Sequence, residues 1–450
     1  MKRRTFIPAA ATAAFGFQVV PSHVVRAQEG KPSPNSKIRL AVIGCGGQGG
    51  SDLNQMASED IVALCDVDDR RAADSFKKFP DAKRFKDFRK MFDEMSGKID
   101  AVLVATPDHT HYVACMAAMQ NGKHVYCEKP LCHTVAEVRS LQKVANEKKL
   151  ITQVGNQGHS SHSIRSFTEM VQAGIIGNVT EVHAGCDAFK DIYHLTRVRE
   201  ELKQKPPLPP ELDWDLWLGP LKPRDYHPAY LPFNWRGFSA FGSGCIGDWV
   251  CHVLDPSVWA LDLDLPTAIT AEVKDYDPEK DVEFYPKGTR ITFEFAAKGS
   301  RGPVKIIWHD GDFAIPQHED LKKQDRKPVG IGAIVIGDKG RIMHGSHGGS
   351  SPHIITPELL KDFKRPEEKI PRVKDGNHQM DWLNAVRDNR PAGSPFSYGG
   401  ALSEIGLLGM IAVRRPGVRL EWDAKSMKFT NDSAANKWLK TEWREGWGSI

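Results

Sequence analysis

Along the first third of the chain, short apolar runs alternate with segments of helical period. The runs at 38–43, 61–65, 101–105, 124–127 and 151–154 are rich in branched residues and poor in charge, the pattern of strands buried on both faces. A short further strand is expected at 84–85. Helical patterns fall between them, from near Gln48 and over 69–79, 87–95, 113–120 and 134–148. Gly122 supplies a C-cap for the helix over 113–120, and Thr134 with Glu137 forms a capping box for the last. Strand–helix alternation of this kind predicts a parallel, doubly wound sheet whose ligand lies at the carboxyl ends of the strands.

Past Gly155 the rhythm changes. One helix is predicted over 164–173. Strand patterns then recur at 179–184, 268–273, 290–295, 304–308, 333–336, 341–343 and 418–422, without regular helices between them. The second half therefore reads as an α+β domain with a mostly antiparallel, open-faced sheet. The stretch 205–232, rich in Pro and Trp, reads as a long ordered loop. Two late helices, 378–387 and 401–413, have no domain assigned by pattern.

Directly after the first apolar run come Gly44, Gly46 and Gly49 in G-x-G-x-x-G spacing. The first permits a tight turn, the second lets backbone approach a pyrophosphate, and the third lets the helix pack on the strand. The helix opening near Gln48 would turn its free N–H groups to the phosphates. The second run ends in Asp66, whose carboxylate can accept both ribose hydroxyls of an adenosine. Gly44, Cys45, Gly46, Gln48, Gly49 and Asp66 thus form a candidate dinucleotide site, and 36–155 an N-terminal Rossmann domain. The charge of Asp66 favours NAD over NADP, although Arg70 and Arg71 nearby could accommodate a phosphate. The remainder, 156–450, is the expected substrate-binding and oligomerisation domain.

Composition adds an address. Four basic residues, Lys2, Arg3, Arg4 and Arg26, precede position 28 with no acid among them; the rest of the chain holds 57 residues of each sign. The formal charge of +4 therefore marks no nucleic-acid binder. Lys2-Arg3-Arg4 and the Ala-rich stretch behind it read as a twin-arginine signal peptide over 1–27, with Val25-Arg26-Ala27 as cleavage site. It implies passage through the twin-arginine export machinery to the periplasm. An uncleaved anchor and a tail are the other readings. Eight cysteines without a C-x-x-C pair support neither a zinc knuckle nor a redox motif, and read mostly as buried thiols.

Three residues point to hydride transfer. A hydride leaves a carbinol carbon readily when the hydroxyl proton is removed and the developing alkoxide is stabilised. Lys129, just after a strand at the carboxyl edge, offers an ammonium for the alkoxide. In G-S-G-C-I-G-D-W-V-C-H, a helix from about Gly247 would put Asp248 and His252 at i and i+4. His252 is then the base, with Asp248 orienting its imidazole and favouring the charged form. Trp235 and Arg236, in F-N-W-R, could face a sugar by stacking and by hydrogen bonding, or Trp235 could belong to the domain core. His344, His347 and His353 fall in a Gly/Ser stretch and read as solvent-facing loop residues. No metal site is expected.

The motifs V-I-G-C-G-G-Q-G, A-T-P-D-H-T-H, G-K-H-V-Y-C-E-K-P-L and G-S-G-C-I-G-D-W-V-C-H-V-L-D resemble those of the Gfo/Idh/MocA family of oxidoreductases, over nearly everything after the leader. The resemblance implies that Lys129, Asp248 and His252 form a catalytic trio and that Pro130 is cis. It also implies that Thr106, Pro107 and His111 line the nicotinamide half, with Glu128 close by. His159 stands where many members place an arginine, and is a candidate substrate contact. Ser243 replaces a frequent glycine.

The reading as a whole is an exported NAD(P)-dependent oxidoreductase acting on a carbinol of a sugar, polyol or glycoside. It carries a tightly bound cofactor, turns over without net redox change and is expected to be a homo-oligomer. An NAD-dependent glycosidase working by transient oxidation is the alternative from another reaction class, although such relatives typically lack the E-K-P lysine. A non-catalytic sugar- or nucleotide-binding protein is the third.

Overall fold

The computed structural model describes residues 37–447; the expected leader lies outside the described residues. Six parallel strands make the first sheet: β1 (Arg39–Ile43), β2 (Asp60–Cys65), β3 (Lys83–Phe85), β4 (Ala101–Val104), β5 (His124–Cys127) and β6 (Thr152–Val154). They stand in the order β3-β2-β1-β4-β5-β6, so the winding reverses between β1 and β4 and leaves a crevice at their carboxyl ends. The intervening helices are α1 (Gln48–Gln55), α2 (Asp69–Lys78), α3 (Phe88–Met95), α4 (Asp108–Gln120) and α5 (Val135–Glu147). Asp68 and Asp87 cap α2 and α3 by accepting from the N–H groups of Arg70 and Arg89 at 3.1 and 2.9 Å. The expected capping box of Thr134 and Glu137 opens α5.

Helix α4 begins at Asp108, five residues before the apolar pattern suggests. Its first turn, Asp108-His109-Thr110-His111, is polar in sequence yet buried, because it packs into the protein interior rather than toward water. Hydrophobic periodicity cannot register such a turn.

The second sheet follows α6 (His162–Gln172). In chain order its surroundings are β7 (Val179–Cys186), α7 (Lys190–Tyr193), α8 (Trp214–Leu218), α9 (Gly244–Val253), α10 (Asp255–Ala260), β8 (Ala268–Lys274), β9 (Gly288–Phe295) and β10 (Val304–Gly311). Then come α11 (Glu319–Lys322), β11 (Ile331–Gly337), β12 (Arg341–Gly345), β13 (His353–Ile354), α12 (Pro357–Leu360), α13 (His378–Asp388), α14 (Phe396–Val413), β14 (Leu420–Asp423) and β15 (Lys428–Phe429). The nine strands are ordered β13-β12-β11-β7-β10-β9-β8-β14-β15, antiparallel except for the β7/β10 pair. Strand β9 shows why one face is core: Ile291, Phe293 and Phe295 are buried, while Arg290, Thr292 and Glu294 alternate with them as half-buried positions. The Pro- and Trp-rich stretch is ordered by an aromatic cluster that includes Trp214, Trp217, Tyr230, Trp235, Phe238 and Phe241.

The two late helices find their places through contacts that sequence does not encode locally. Helix α13 rests against the first sheet, with Trp382 edge-on to Tyr126 at 5.7 Å and His378 bonded to the Val154 carbonyl at 2.8 Å. Helix α14 packs against α5, β6, α9, β8 and β9 at once, and so joins both sheets. A Cβ at Gly406 would meet Val250 at 2.7 Å and one at Gly409 would meet Phe293 at 2.8 Å; glycine at both positions lets α14 lie this close. All eight cysteines are free and buried, which agrees with their reading as core thiols.

Candidate active site

The crevice at the strand ends opens into a cleft of about 590 Å³. Its floor at one end is the glycine loop. A Cβ at Gly44 would lie 2.7 Å from the Ala105 oxygen, at Gly46 2.5 Å from the Arg71 oxygen, and at Gly49 1.9 Å from the Gly44 oxygen. Each glycine is thus required by a backbone crossing. No side chain caps α1 and no acid stands in its first turn, so its leading N–H groups remain available to an anion. This cradle fits the pyrophosphate of a dinucleotide. Cys45 contributes backbone alone, since its thiol is buried and does not line the cleft. Gln48 lines the cleft and donates to Asp52 Oδ1 at 3.0 Å.

Asp66 also lines the cleft, and its carboxylate closes the loop. Oδ2 accepts from the N–H groups of Cys45 and Gly46 at 2.9 and 3.3 Å, while Oδ1 accepts from that of Asp68 at 3.0 Å. Burial pushes its pKa up, against these bonds. Arg71 reaches the same end of the cleft, whereas Arg70 is turned away and paired with Asp68 at 2.7 Å.

At the other end stand Thr106, Pro107, Glu128, Lys129, Trp235, Arg236 and His252, all lining the cleft. The Lys129–Pro130 peptide is cis, as the family resemblance implied. Glu128 is buried close to the buried Asp52, whose Oδ1 accepts from Gln48 and Gln379. Burial raises both, Asp52 to about 6 and Glu128 well above its ordinary value, and the Asp52 charge raises Glu128 further. Asp52 went unnoticed in the sequence because it is an ordinary helix position there.

Helix α9 starts at Gly244, three residues earlier than expected, and carries Asp248 and His252. The expected partnership between them is not formed. Asp248 accepts instead from Lys129 at 2.5 Å, from the Tyr193 hydroxyl at 2.5 Å and from Arg236 Nε at 3.1 Å. Burial would raise its pKa, but Lys129 and then Arg236 hold it well below the carboxylate range. Lys129 feels the converse. Burial depresses it, the Asp248 charge raises it, and the net shift is upward. Two charged donors outcompete an imidazole for one carboxylate. His252 Nδ1 is buried without a hydrogen-bond partner among the described residues. Burial and then the charge of Lys129 push the ring pKa well below its ordinary value, so at neutral pH it is uncharged, contrary to the expectation of a favoured charged form.

Two more expectations are corrected. His111 does not line the cleft. Its ring lies between the carbonyls of Pro130, 2.8 Å from Nδ1, and Thr106, 2.7 Å from Nε2, and burial lowers its pKa to about 4. It braces the two segments that form the cleft wall. His159 also points away from the cleft. Its Nδ1 bonds Asp255 at 2.9 Å, and its ring packs on Trp259 and Tyr398 at 4.6 and 4.9 Å. The short helical turn Gln157–Ser160 directs Gln157 to the cleft and His159 into the core. Trp235 is buried in the aromatic cluster and also lines the cleft, with the Arg236 guanidinium 4.2 Å from its ring centre.

The sequence missed Tyr193, Trp249 and His347. Tyr193 donates to Asp248 and accepts from Trp249 Nε1 at 2.9 Å. His347 lines the cleft instead of facing solvent from its Gly/Ser loop, while His344 is buried against Phe167. The glycines beside His347 were the only signal, since they mark a backbone that must approach another closely. Ser243, the departure from glycine, ties α9 to α4: its N–H and hydroxyl both donate to Asp108 Oδ2, at 3.1 and 2.9 Å.

Residues 38–156 match the Gfo/Idh/MocA family model described as oxidoreductase family, NAD-binding Rossmann fold, and residues 160–309 match its C-terminal alpha/beta domain. Together these cover more than half of the chain. Among curated proteins, a levoglucosan dehydrogenase of Pseudarthrobacter phenanthrenivorans is 23% identical over 54% of this chain and 52% of its own. A myo-inositol 2-dehydrogenase of Thermotoga maritima is 26% identical over 39% of this chain and 48% of its own, so the chain spans about half the length of such relatives. Among solved structures, an inositol dehydrogenase homolog from Azotobacter vinelandii complexed with NAD+ superposes with a TM-score of 0.57 at 18% identity, covering 86% of this chain and 97% of that one. An aldose-aldose oxidoreductase from Caulobacter crescentus complexed with glycerol gives 0.55 at 16%, covering 86% and 100%. At such identities the likeness establishes the fold alone. A glycine cradle at one end of the cleft, a lysine–aspartate pair at the other, and matches to both halves of one family lead to a single conclusion: this chain belongs to the Gfo/Idh/MocA oxidoreductase family, with an NAD-binding Rossmann fold.

Proposed function

We propose that the protein is an NAD-dependent dehydrogenase acting on a carbinol of a sugar, polyol or glycoside. The observation that carries this reading is the placing of His252, which makes no hydrogen bond among the described residues, in the same cleft wall as the Asp248-held Lys129. NAD, when bound, supplies the hydride acceptor. The neutral imidazole of His252 is in the form that takes a proton from a hydroxyl. Lys129 spends two of its three N–H groups on Asp248 and keeps one for the oxygen that becomes anionic. Arg236 and Trp235 offer a donor and an aromatic face for a ring carrying hydroxyls. The names of the relatives, levoglucosan and inositol dehydrogenases, support a polyhydroxylated substrate.

The leader read at 1–27 supports a finer version. Outside the cytoplasm there is no pool of NAD and no partner enzyme to recycle it. The dinucleotide is then loaded before export, stays bound through many cycles, and passes its hydride back to a second sugar or to the same one after rearrangement. The chain works as a homo-oligomer, which light scattering of the purified protein reads.

The test is direct. The mature protein is purified without added nucleotide and denatured, and the supernatant is assayed for NAD(H). The native protein is incubated with a panel of sugars, polyols and glycosides, and products are identified by mass spectrometry. Near-stoichiometric cofactor and oxidised carbinols are expected. Hydrolysed glycosides without net oxidation would transfer the protein to the glycosidase reading. No product from any compound, with cofactor bound, would leave a binding protein.

A further inference from the structure

His347 lies in the loop between β12 and β13, far along the chain from the other residues of the site. Its ring stacks on that of His252, with centroids 4.1 Å apart and planes 24° apart. On the neighbouring side Trp249 meets both rings edge-on, at 5.6 Å from His252 and 5.7 Å from His347. His252 makes no hydrogen bond among the described residues, so nothing polar fixes the plane of its ring. Acid–base histidines usually have one nitrogen held by a carboxylate or carbonyl. Here Asp248, the residue on the same helix face, is taken by Lys129, Tyr193 and Arg236.

The loop itself is built to hold His347 in place. The backbone of His347 is left-handed, with φ of 52°, a conformation that a non-glycine residue adopts at some cost. Its carbonyl carbon would lie 2.1 Å from a Cβ at Gly158, and a Cβ at Gly348 would lie 2.0 Å from the Gly158 oxygen. Two backbones touch there with no room for a side chain on either. Ser346 Oγ lies 2.9 Å from His347 Nδ1 and holds the ring from behind. Gly158 belongs to the same helical turn that sends Gln157 to the cleft.

We propose that His347 is a positioning residue for His252, fixing by stacking the plane of an imidazole that no hydrogen bond holds. This inference rests on the reading of His252 as the proton acceptor. When His252 takes up a proton, the uncharged face of His347 is what it stacks on; a protonated His347 would repel it. The charged and titratable groups facing His252 are Lys129 before α5, Asp248 on its own helix, His347 from the β12–β13 loop and His378 from α13. His347 itself is lowered by burial and then by Lys129, which keeps both rings neutral near neutral pH.

Three variants of the full chain test the proposal: His347→Ala, His347→Phe and Gly158→Ala, each checked for folding by thermal melt. His347→Ala removes the stack and should lower kcat by roughly tenfold or more with KM little changed, the scale of a misoriented catalytic group. His347→Phe keeps a flat ring that cannot be protonated. It should restore most of kcat and extend activity to lower pH. Gly158→Ala keeps both imidazoles but drives a methyl group into the His347 backbone, displacing the loop, and should reproduce the loss. Independently of turnover, the imidazole Cε1–H resonance of His252, identified by its absence in His252→Asn, should titrate closer to the ordinary histidine value in His347→Ala. Wild-type kcat, pH profile and titration in His347→Ala would overturn the proposal. So would a His347→Phe variant as impaired as the alanine one, because ring nitrogens and not stacking would then be at work. If the wild-type chain oxidises no carbinol, the dehydrogenase reading falls, while the resonance comparison still decides the relation between the two rings.

Discussion

Lys129 Nζ lies 2.5 Å from Asp248 Oδ1 and 3.1 Å from the backbone oxygen of the same residue, so one aspartate holds the ammonium at two points. The consequence reverses an expectation drawn from helix spacing. Were Asp248 the partner of His252, Asp248→Asn would do least harm at high pH, where imidazole is neutral regardless. With the carboxylate on Lys129, its removal leaves a buried ammonium without its main support, and burial then lowers the lysine pKa. Asp248→Asn should cut kcat by roughly 10²-fold and move the basic limb of the pH–rate profile to lower pH. A basic limb at the wild-type position would show that Lys129 is charged for another reason.

Lys129→Ala and His252→Ala should each lower turnover by roughly 10²-fold or more. They differ in what else they disturb. His252 comes from α9, away from the glycine loop, so NADH affinity, read by quenching of protein fluorescence, should stay at the wild-type value in His252→Ala. Full turnover in either variant would remove these residues from the chemistry.

Cofactor choice turns on Asp66 and Arg71. The Asp66 carboxylate would accept a ribose diol and repel a 2′-phosphate, so NAD should bind more tightly than NADP. Because Asp66 also accepts two N–H groups of the glycine loop, Asp66→Ala should weaken NAD and narrow the gap between the two nucleotides. Arg71→Ala should weaken NADP more than NAD. Calorimetric titration with both nucleotides settles the order, and tighter NADP binding by the wild-type protein would refute it. Gly49→Ala places a methyl group 1.9 Å from the Gly44 oxygen and should abolish nucleotide binding altogether.

Asp108 gives a prediction about stability. Burial, reinforced by the nearby Asp248 charge, raises its pKa to about 7. In the unfolded chain the value is about 3.9. A carboxyl raised on folding contributes stability that is full below its unfolded pKa and is lost as pH rises toward its folded pKa. The wild-type protein should therefore lose stability relative to Asp108→Asn between about pH 4 and pH 7, with a constant difference above that. Urea unfolding of both across this range measures it. A difference that does not change with pH would mean Asp108 stays ionised throughout.

Much of the architecture was readable because its physics is local. Strands β1, β2, β4 and β5 announce themselves as unbroken apolar runs, and the glycine loop as a spacing that serves one purpose. The E-K-P lysine and the Asp248/His252 segment were readable as positions. Their pairing was not, since i and i+4 spacing shows only that two side chains can meet, and the winner was decided by Lys129, Arg236 and Tyr193 from elsewhere in the chain. His159 shows the same limit, because one residue's rotation along a helical turn separates a cleft position from a core one. His347 was marked only by the glycines beside it: its importance comes from a backbone contact with Gly158, and neither stretch names the other as its partner.

The eight buried thiols carry a consequence for the life of the molecule rather than for its chemistry. A folded chain keeps every one of them from oxidants. An unfolded one exposes all eight, and eight thiols can join in roughly 105 different ways, none of which this fold contains. In an oxidising medium unfolding is therefore a ratchet: each melted molecule is trapped by wrong crosslinks, and its lifetime is set by how rarely it opens. Adding a reductant during refolding should recover activity that an oxidant forfeits. Wherever such a chain meets an oxidising medium, its yield depends on folding being complete beforehand.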